Sequence, residues 1–287
     1  MLNNKRRQFF KFIKYDLYYG ILLEWKKYAV FSIIIFLFCF KLILKHRNII
    51  IFENLAENLS IGDLFIYILK GMRPYHLSLT EIYVPEFTWI FMYIYIAFSL
   101  SFYPLKDLHG YGQLMLLQSK QRKYWWFSKC MWNILSIILF YFIIIICVCT
   151  CSIFTGNMNI MPQANIQTFY NQMTVTSINE FQFILIAFLA LPFVTIAISL
   201  FQMMWAVLIH PLIGLIVSAS IYILSIFISK PWMLGNYLML MRNHTFISSS
   251  EIILKNGILY SMAVICISVI IGYIGFRRKD ILTNYNE

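Results

Sequence analysis

The sequence predicts an all-α, polytopic membrane protein with six transmembrane helices, an N-terminal interfacial helix and a re-entrant outer loop before the last helix. Three observations carry this. Of its 287 residues, 61% are hydrophobic and only 12% charged, with a mean hydropathy of +0.73, whereas soluble domains are about a quarter charged. Apolar runs recur near 28–44, 87–105, 130–154, 181–207, 212–229 and 258–276, close to the ~20 residues that carry a helix across the hydrocarbon core. Backbone polar groups need internal partners in lipid, so closed helices are the form such runs take. The chain 1–287 reads as one transmembrane domain: an interfacial helix in 1–27, a bundle over 28–276 holding a loop at 106–129 and an outer loop at 230–257, and a tail at 277–287.

The first element is MLNNKRRQFFKFIKYDLYYG. No small-residue cleavage site follows a short apolar core, so it is expected to stay on the chain. Lys5, Arg6, Arg7, Lys11 and Lys14 interleave with Phe9, Phe10, Phe12, Tyr15 and Tyr18 at helical spacing. That pattern suits a helix lying flat at the headgroups with its cations towards anionic lipid; a topogenic signal that merely orients the first span is the plainer alternative.

An even number of spans puts both termini on one side. Fifteen of the 23 Lys and Arg fall on that side, so it is expected to be the cytoplasm, with the chain in the cell membrane. Lys41, Lys45 and Arg47 count against this; Lys41 is expected to snorkel to the interface.

Between the second and third runs lies LHGYGQLMLLQSKQRKYWWFSK, residues 108–129. Gly110 and Gly112 bracket a turn, 113–119 can form a short amphipathic helix, and Lys120, Arg122 and Lys123 precede an aromatic belt from Tyr124 to Phe127. A solvated loop with an interface anchor accounts for the belt but not for the short helix. Between the fourth and fifth runs, His210-Pro211 allows only a tight hairpin; His210 is read first as a turn residue and second as a proton-sensitive group.

Outside, 45–86 and 230–257 are long yet apolar, and 61–70 (IGDLFIYILK) and 231–241 (PWMLGNYLMLM) read as short helices dipping into the interface. Such backbone is tolerated at depth only when packed on protein. Asn58-Leu59-Ser60 and Asn243-His244-Thr245 match the glycosylation acceptor pattern. The excess of Ile, Phe, Tyr, Asn and Lys over Ala and Gly points to an AT-rich, bacterial genome, where that match is chance. In the fifth run Gly214, Ser218, Tyr222, Ser225 and Ser229 share one helical face, and in the fourth Thr195, Ser199 and Gln202 do so. Small and hydroxylated residues serve close helix approach, within the monomer or between subunits, or line a substrate path.

Cys39, Cys130, Cys147, Cys149, Cys151 and Cys266 lie in or beside apolar runs and read as small buried hydrophobes. No His or carboxylate accompanies the CVCTC run, so no metal site is expected there. None of the 11 glycines precedes a lysine, so there is no phosphate-cradling loop for nucleotide. None of the 12 acidic residues falls mid-span, Glu86 and Asp107 marking the ends of the second; ion-coupled transporters keep such a group at depth. With no H-E-x-x-H and no nucleophile, base and acid at one depth, no catalytic residue, cofactor or metal is expected in this chain.

The order of these features resembles the membrane (permease) subunit of a type-2 ATP-binding cassette (ABC) exporter. The resemblance covers essentially the whole chain and rests on topology, with local support in SKQRKYWWFSKCMW (119–132), GNYLMLMRN (235–243) and GFRRKDIL (275–282). It implies that the loop between spans two and three carries a coupling helix, within Lys106 to Arg122, that docks on a separate ATPase. The coupling residues would be Asp107, His109, Tyr111, Gln113, Gln118, Lys120 and Arg122. It implies ATP and Mg acting through that dimeric partner and none bound here, and a second permease copy or a homologous permease. It also implies contact with membrane lipids, no nucleic acid, and a pathway or dimer interface between spans two and five at Tyr95, Ser99, Gly214, Ser218, Tyr222 and Ser225. Pro231, Gly235 and Asn236 would belong to an outer gate. The 41–86 region is longer and more basic than in the simplest members, which leaves room for an accessory subunit. A route without fixed charge suits an amphipathic or hydrophobic cargo, peptide or antibiotic-like, or lipid. A non-transporting scaffold or sensor, and a lipid-modifying enzyme using His76 or His109, are the alternatives.

Overall fold

The computed structural model describes residues 2–53, 58–75, 83, 85–119, 121–171, 179–246 and 250–279. Every regular element among them is helical, with one isolated bridge between Asn243 and Ile252. The helices are α1 (Leu2–Leu17), α2 (Trp25–Glu53), α3 (Ile61–Leu69), α4 (Phe87–Ser101), α5 (Tyr103–Leu108), α6 (Tyr111–Ser119), α7 (Arg122–Thr155), α8 (Ala164–Asn171), α9 (Glu180–Leu185), α10 (Leu191–Leu208), α11 (Pro211–Phe227) and α12 (Leu254–Arg278).

The boundaries follow local chemistry. Pro104 near the start of α5 lacks an N–H to donate and breaks α4 from α5 at Phe102. A π turn over Ile186–Ala190, with Pro192 just beyond it, joins α9 to α10. His210 caps α11, its Nδ1 accepting from the Leu212 N–H at 3.3 Å, with Pro211 at the first helical position. Gly156, at φ +74°, ends α7 in the left-handed region that glycine enters without strain. Ser60 and Asp63 form a capping box that starts α3.

Contacts sort the chain between two ends of one bundle. At the first, the α1–α2 junction, the α4–α5–α6 turn, the start of α7, the α10–α11 hairpin and the end of α12 meet. At the second, α3, α8, the start of α4 and the segment 231–246 meet. The backbone therefore travels from end to end six times, with α10 at the centre touching α4, α7, α11 and α12.

Five of these passes are long and apolar enough to cross a membrane: Trp25–Asn48, Phe87–Leu108, Arg122–Thr155, Glu180–Leu208 and Leu254–Arg278. The sixth, α11, has only 17 residues, about 25 Å of rise. The expected run to 229 is cut at Phe227 because the Arg242 guanidinium takes the carbonyls of Ser225 and Ile226, the last turn's free acceptors. Conversely, α7 starts eight residues before the expected run and has 34 residues, about 50 Å, so its first turns overshoot a hydrocarbon core. The 106–129 island is helical almost throughout. The short helix expected over 61–70 is α3, but 231–241 is two buried 3₁₀ turns, Leu234–Leu238 and Leu240–Arg242, packed on α10, α11 and α12. Large apolar side chains face outward along α2 and α12, among them Ile33, Leu37, Leu259, Met262, Ile270 and Ile271, as lipid contact requires.

Candidate functional site

The site grows from a lysine that the sequence places in a basic loop and the fold places in the interior. Lys129 lies one turn further into α7 than the aromatic belt and is 0% exposed. Its ammonium is held between two carboxylates, Asp16 of α1 and Asp107 of α5, the latter at 2.6 Å. Tyr103 donates to Asp16 Oδ1 at 2.9 Å, Ser128 donates to Asp16 Oδ2, and Trp125 Nε1 donates to Asp107 Oδ2 at 3.0 Å. The ammonium also sits 4.6 Å from the Tyr103 ring and 5.2 Å from that of Trp125. Three elements distant in sequence are thus pinned at one buried point.

Two carboxylates share one ammonium there, which leaves excess negative charge out of water. Burial accordingly pushes the Asp16 carboxyl above its usual range, against the opposing pull of Lys129 and Ser128. Burial and the Asp107 charge likewise push the neighbouring Tyr15 phenol up. Asp107 Oδ1 is buried without a hydrogen-bond partner, and the carboxylate lies where a β-carbon on Gly112 would be. The glycine lets the first turn of α6 close over the carboxylate.

Cations also tie the helix ends here. Arg122 Nη1 donates to the carbonyls of Phe276, Arg277 and Lys279, and Lys279 Nζ donates to those of Val207 and Leu208. The start of α7, the end of α12 and the end of α10 are joined through the unsatisfied carbonyls that helix C-termini carry. Burial holds the Lys279 amine below its usual range.

Around this core, α6 presents a bare face. Tyr111, Leu114 and Leu117 are 60%, 56% and 46% exposed, and Gln118 lies beside them. Their spacing is one helical side. Gly112, Gln113 and Leu116 form the opposite, buried side. Tyr111 also stacks on Tyr15 of α1 at 5.6 Å. Exposed Lys106, His109 and Lys123 surround the face.

The seven expected coupling residues therefore divide. His109, Tyr111 and Gln118 are on the surface; Asp107 and Gln113 are buried, and Arg122 is bound to the end of α12. Lys120 lies outside the described residues, as do His76 and the tail from 280. Leu114 and Leu117 are surface residues that the expected set did not include. The signal that could have separated them is the glycine at 112, which marks the side of close approach. Asp16 was missed as well; the signal that could have found it is that it is the one acid among the cations of α1.

The six expected pathway residues face the chain's own helices. Tyr95 donates to the Lys27 carbonyl of α2 at 2.8 Å, and Ser99 donates to the Tyr95 carbonyl. Gly214 admits the α10 backbone at Gln202 and Ala206. Tyr222 stacks on Tyr93 at 5.3 Å and meets Trp89 edge-on at 6.2 Å. Ser218 and Ser225 donate back into α11, and Gly235 packs on Ser225. The six cysteines are free thiols.

At the opposite end, Arg242 is fully buried, and its five N–H groups all find acceptors. These are the carbonyls of Met72, Arg73, Ser225 and Ile226 and the Asn236 side chain. Nearby, Asp63 accepts from Ser60, the Gln163 N–H at 3.0 Å and Gln167 Nε2 at 2.7 Å, and burial raises its carboxyl above the usual range. Compared with known proteins, the chain matches no family model, no curated protein and no solved structure.

Proposed function

We propose that the chain is the membrane subunit of an ATP-driven exporter of the type-2 ABC kind, and that α6 is the seat of a separate ATPase. The observation that carries this reading is the bare apolar face of Tyr111, Leu114 and Leu117 on a short helix whose Gly112 closes on the carboxylate that pairs with Lys129. An exposed apolar patch with a polar rim marks a protein-binding surface, and helix-in-groove docking uses anchors at this spacing. Coupling ATP hydrolysis to the bundle needs a stiff joint, and the Asp16–Lys129–Asp107 cluster supplies one. On this reading all six passes cross the cell membrane, with both termini and α6 on the cytoplasmic side, as the basic end favours. ATP and Mg are handled by the partner, and a second permease copy or a homologue completes the pathway. The cargo is amphipathic or hydrophobic, peptide or antibiotic-like.

Leu114→Asp with Leu117→Asp tests this, because both side chains are outside the core. The tagged chain, purified in mild detergent from its native host, is expected to bring a nucleotide-binding ATPase with it. The double variant is expected to elute as the same folded species without that companion and without ATP hydrolysis. A wild-type preparation that carries no ATPase, or a double variant that retains it, overturns the assignment.

A further inference from the structure

We infer that α1 carries a binding site for anionic lipid headgroups, formed by Arg7, Lys11 and Lys14. The helix has two distinct faces. Phe12 and Asp16 are buried against α7, with Phe9 half-buried and 5.9 Å from the Tyr124 ring. Of the aromatics that suggested insertion into lipid, Phe12, Phe9 and Tyr15 are wholly or partly taken up by protein, whereas Phe10 and Tyr18 stay exposed beside the cations. Arg7, Lys11, Lys14 and Tyr18, at i, i+4, i+7 and i+11, are all exposed and share the opposite side. None of the three cations is in an ion pair among the described residues.

Two features assign the occupant. The row continues along the chain into exposed Leu22, Leu23 and Trp25, and Trp25 is the first residue of a membrane-crossing helix. The cations therefore stand at headgroup level, where Trp and Tyr collect. Phosphate-bearing headgroups supply the complementary charge at that depth, and cations near such a surface contribute additively. The buried Asp16 holds the helix so that the basic side cannot turn inward. This site does not depend on which protein, if any, docks at α6.

The test is amide hydrogen exchange over residues 7–18 in the full chain, reconstituted in nanodiscs of phosphatidylcholine alone or of an equal mixture with phosphatidylglycerol. Slower exchange in the anionic discs is expected, erased by high salt and absent from an Arg7→Gln, Lys11→Gln, Lys14→Gln variant. All three positions face outward, so the variant keeps its fold. Equal protection in both lipids, or a lipid difference that survives the triple substitution, overturns the site. Protection that arises only when the ATPase is added also overturns it, because the row would then belong to an acidic protein surface.

Discussion

The Lys129 ammonium and the Asp107 carboxylate meet at 2.6 Å with both side chains out of water, joining the first turns of α7 to the helix that leads into α6. A buried ion pair is weak evidence for net stability, since desolvating both charges offsets their attraction. Its consequence lies in what happens when one partner goes.

Lys129→Met leaves Asp16 and Asp107 facing each other without a cation. Breaking a buried pair in this way costs about 3–5 kcal/mol. A large drop in the detergent-solubilised melting temperature is the expected result. Neutralising all three, with Asp16→Asn, Asp107→Asn and Lys129→Met, should recover most of that loss, because no unpaired charge then remains. If the single variant melts with the wild type, the cluster is solvated and does not pin the three elements.

The pH dependence has a definite sign. Asp16 holds its proton more tightly in the fold than the ~3.9 of an unfolded aspartate. The folded state therefore binds more protons in the window above that value, and the stability linked to Asp16 falls as pH rises through it. Unfolding of wild type and Asp16→Asn across that range is expected to give a wild-type advantage that shrinks with rising pH. An advantage that grows instead would place the Lys129 pairing above desolvation.

Much of the architecture was legible, and the failures have physical causes. The apolar runs located the five helices long and apolar enough to cross a membrane, and the shorter α11, because hydrocarbon demands continuous apolar length. The run over 212–229 misjudged the end of α11, since the residue that stops it, Arg242, lies far along the chain and its role is purely tertiary. Lys129 read as a loop cation because composition cannot reveal that Asp16 and Asp107 converge on it. Gln113 shows the same limit at close range: expected among the docking residues, it is buried, while the neighbouring Leu114, which no expectation singled out, is exposed. Only the glycine at 112, needed by the Asp107 carboxylate, carried that information locally.

Arg242 makes a prediction at the other end. Its guanidinium serves five acceptors from three chain segments, which no other side chain can do with one planar fork. Arg242→Met strands those acceptors in the interior, each at about 1–3 kcal/mol where water cannot reach. Arg242→Lys retains charge but has only three donors, and should fall between. Melting temperatures in the order wild type, lysine, methionine are expected; equal values for lysine and wild type would show that charge alone suffices.

The short sixth pass is the part of the topology most open to test. With 17 residues, α11 lies at the lower end of the ~17–25 that cross a bilayer, yet its ends contact opposite ends of the bundle. Ser101 Oγ donates to the Pro211 carbonyl at 2.7 Å, while Arg242 holds Ile226. If the helix crosses, Ile209 and Trp232, both exposed beyond its ends, face opposite compartments. Single cysteines at these positions, in a Cys266→Ser background, can be labelled with a membrane-impermeant maleimide in intact cells. Trp232→Cys is expected to react from outside, and Ile209→Cys only after permeabilisation. Reaction of both from one side would leave five crossings and put the termini on opposite sides of the membrane.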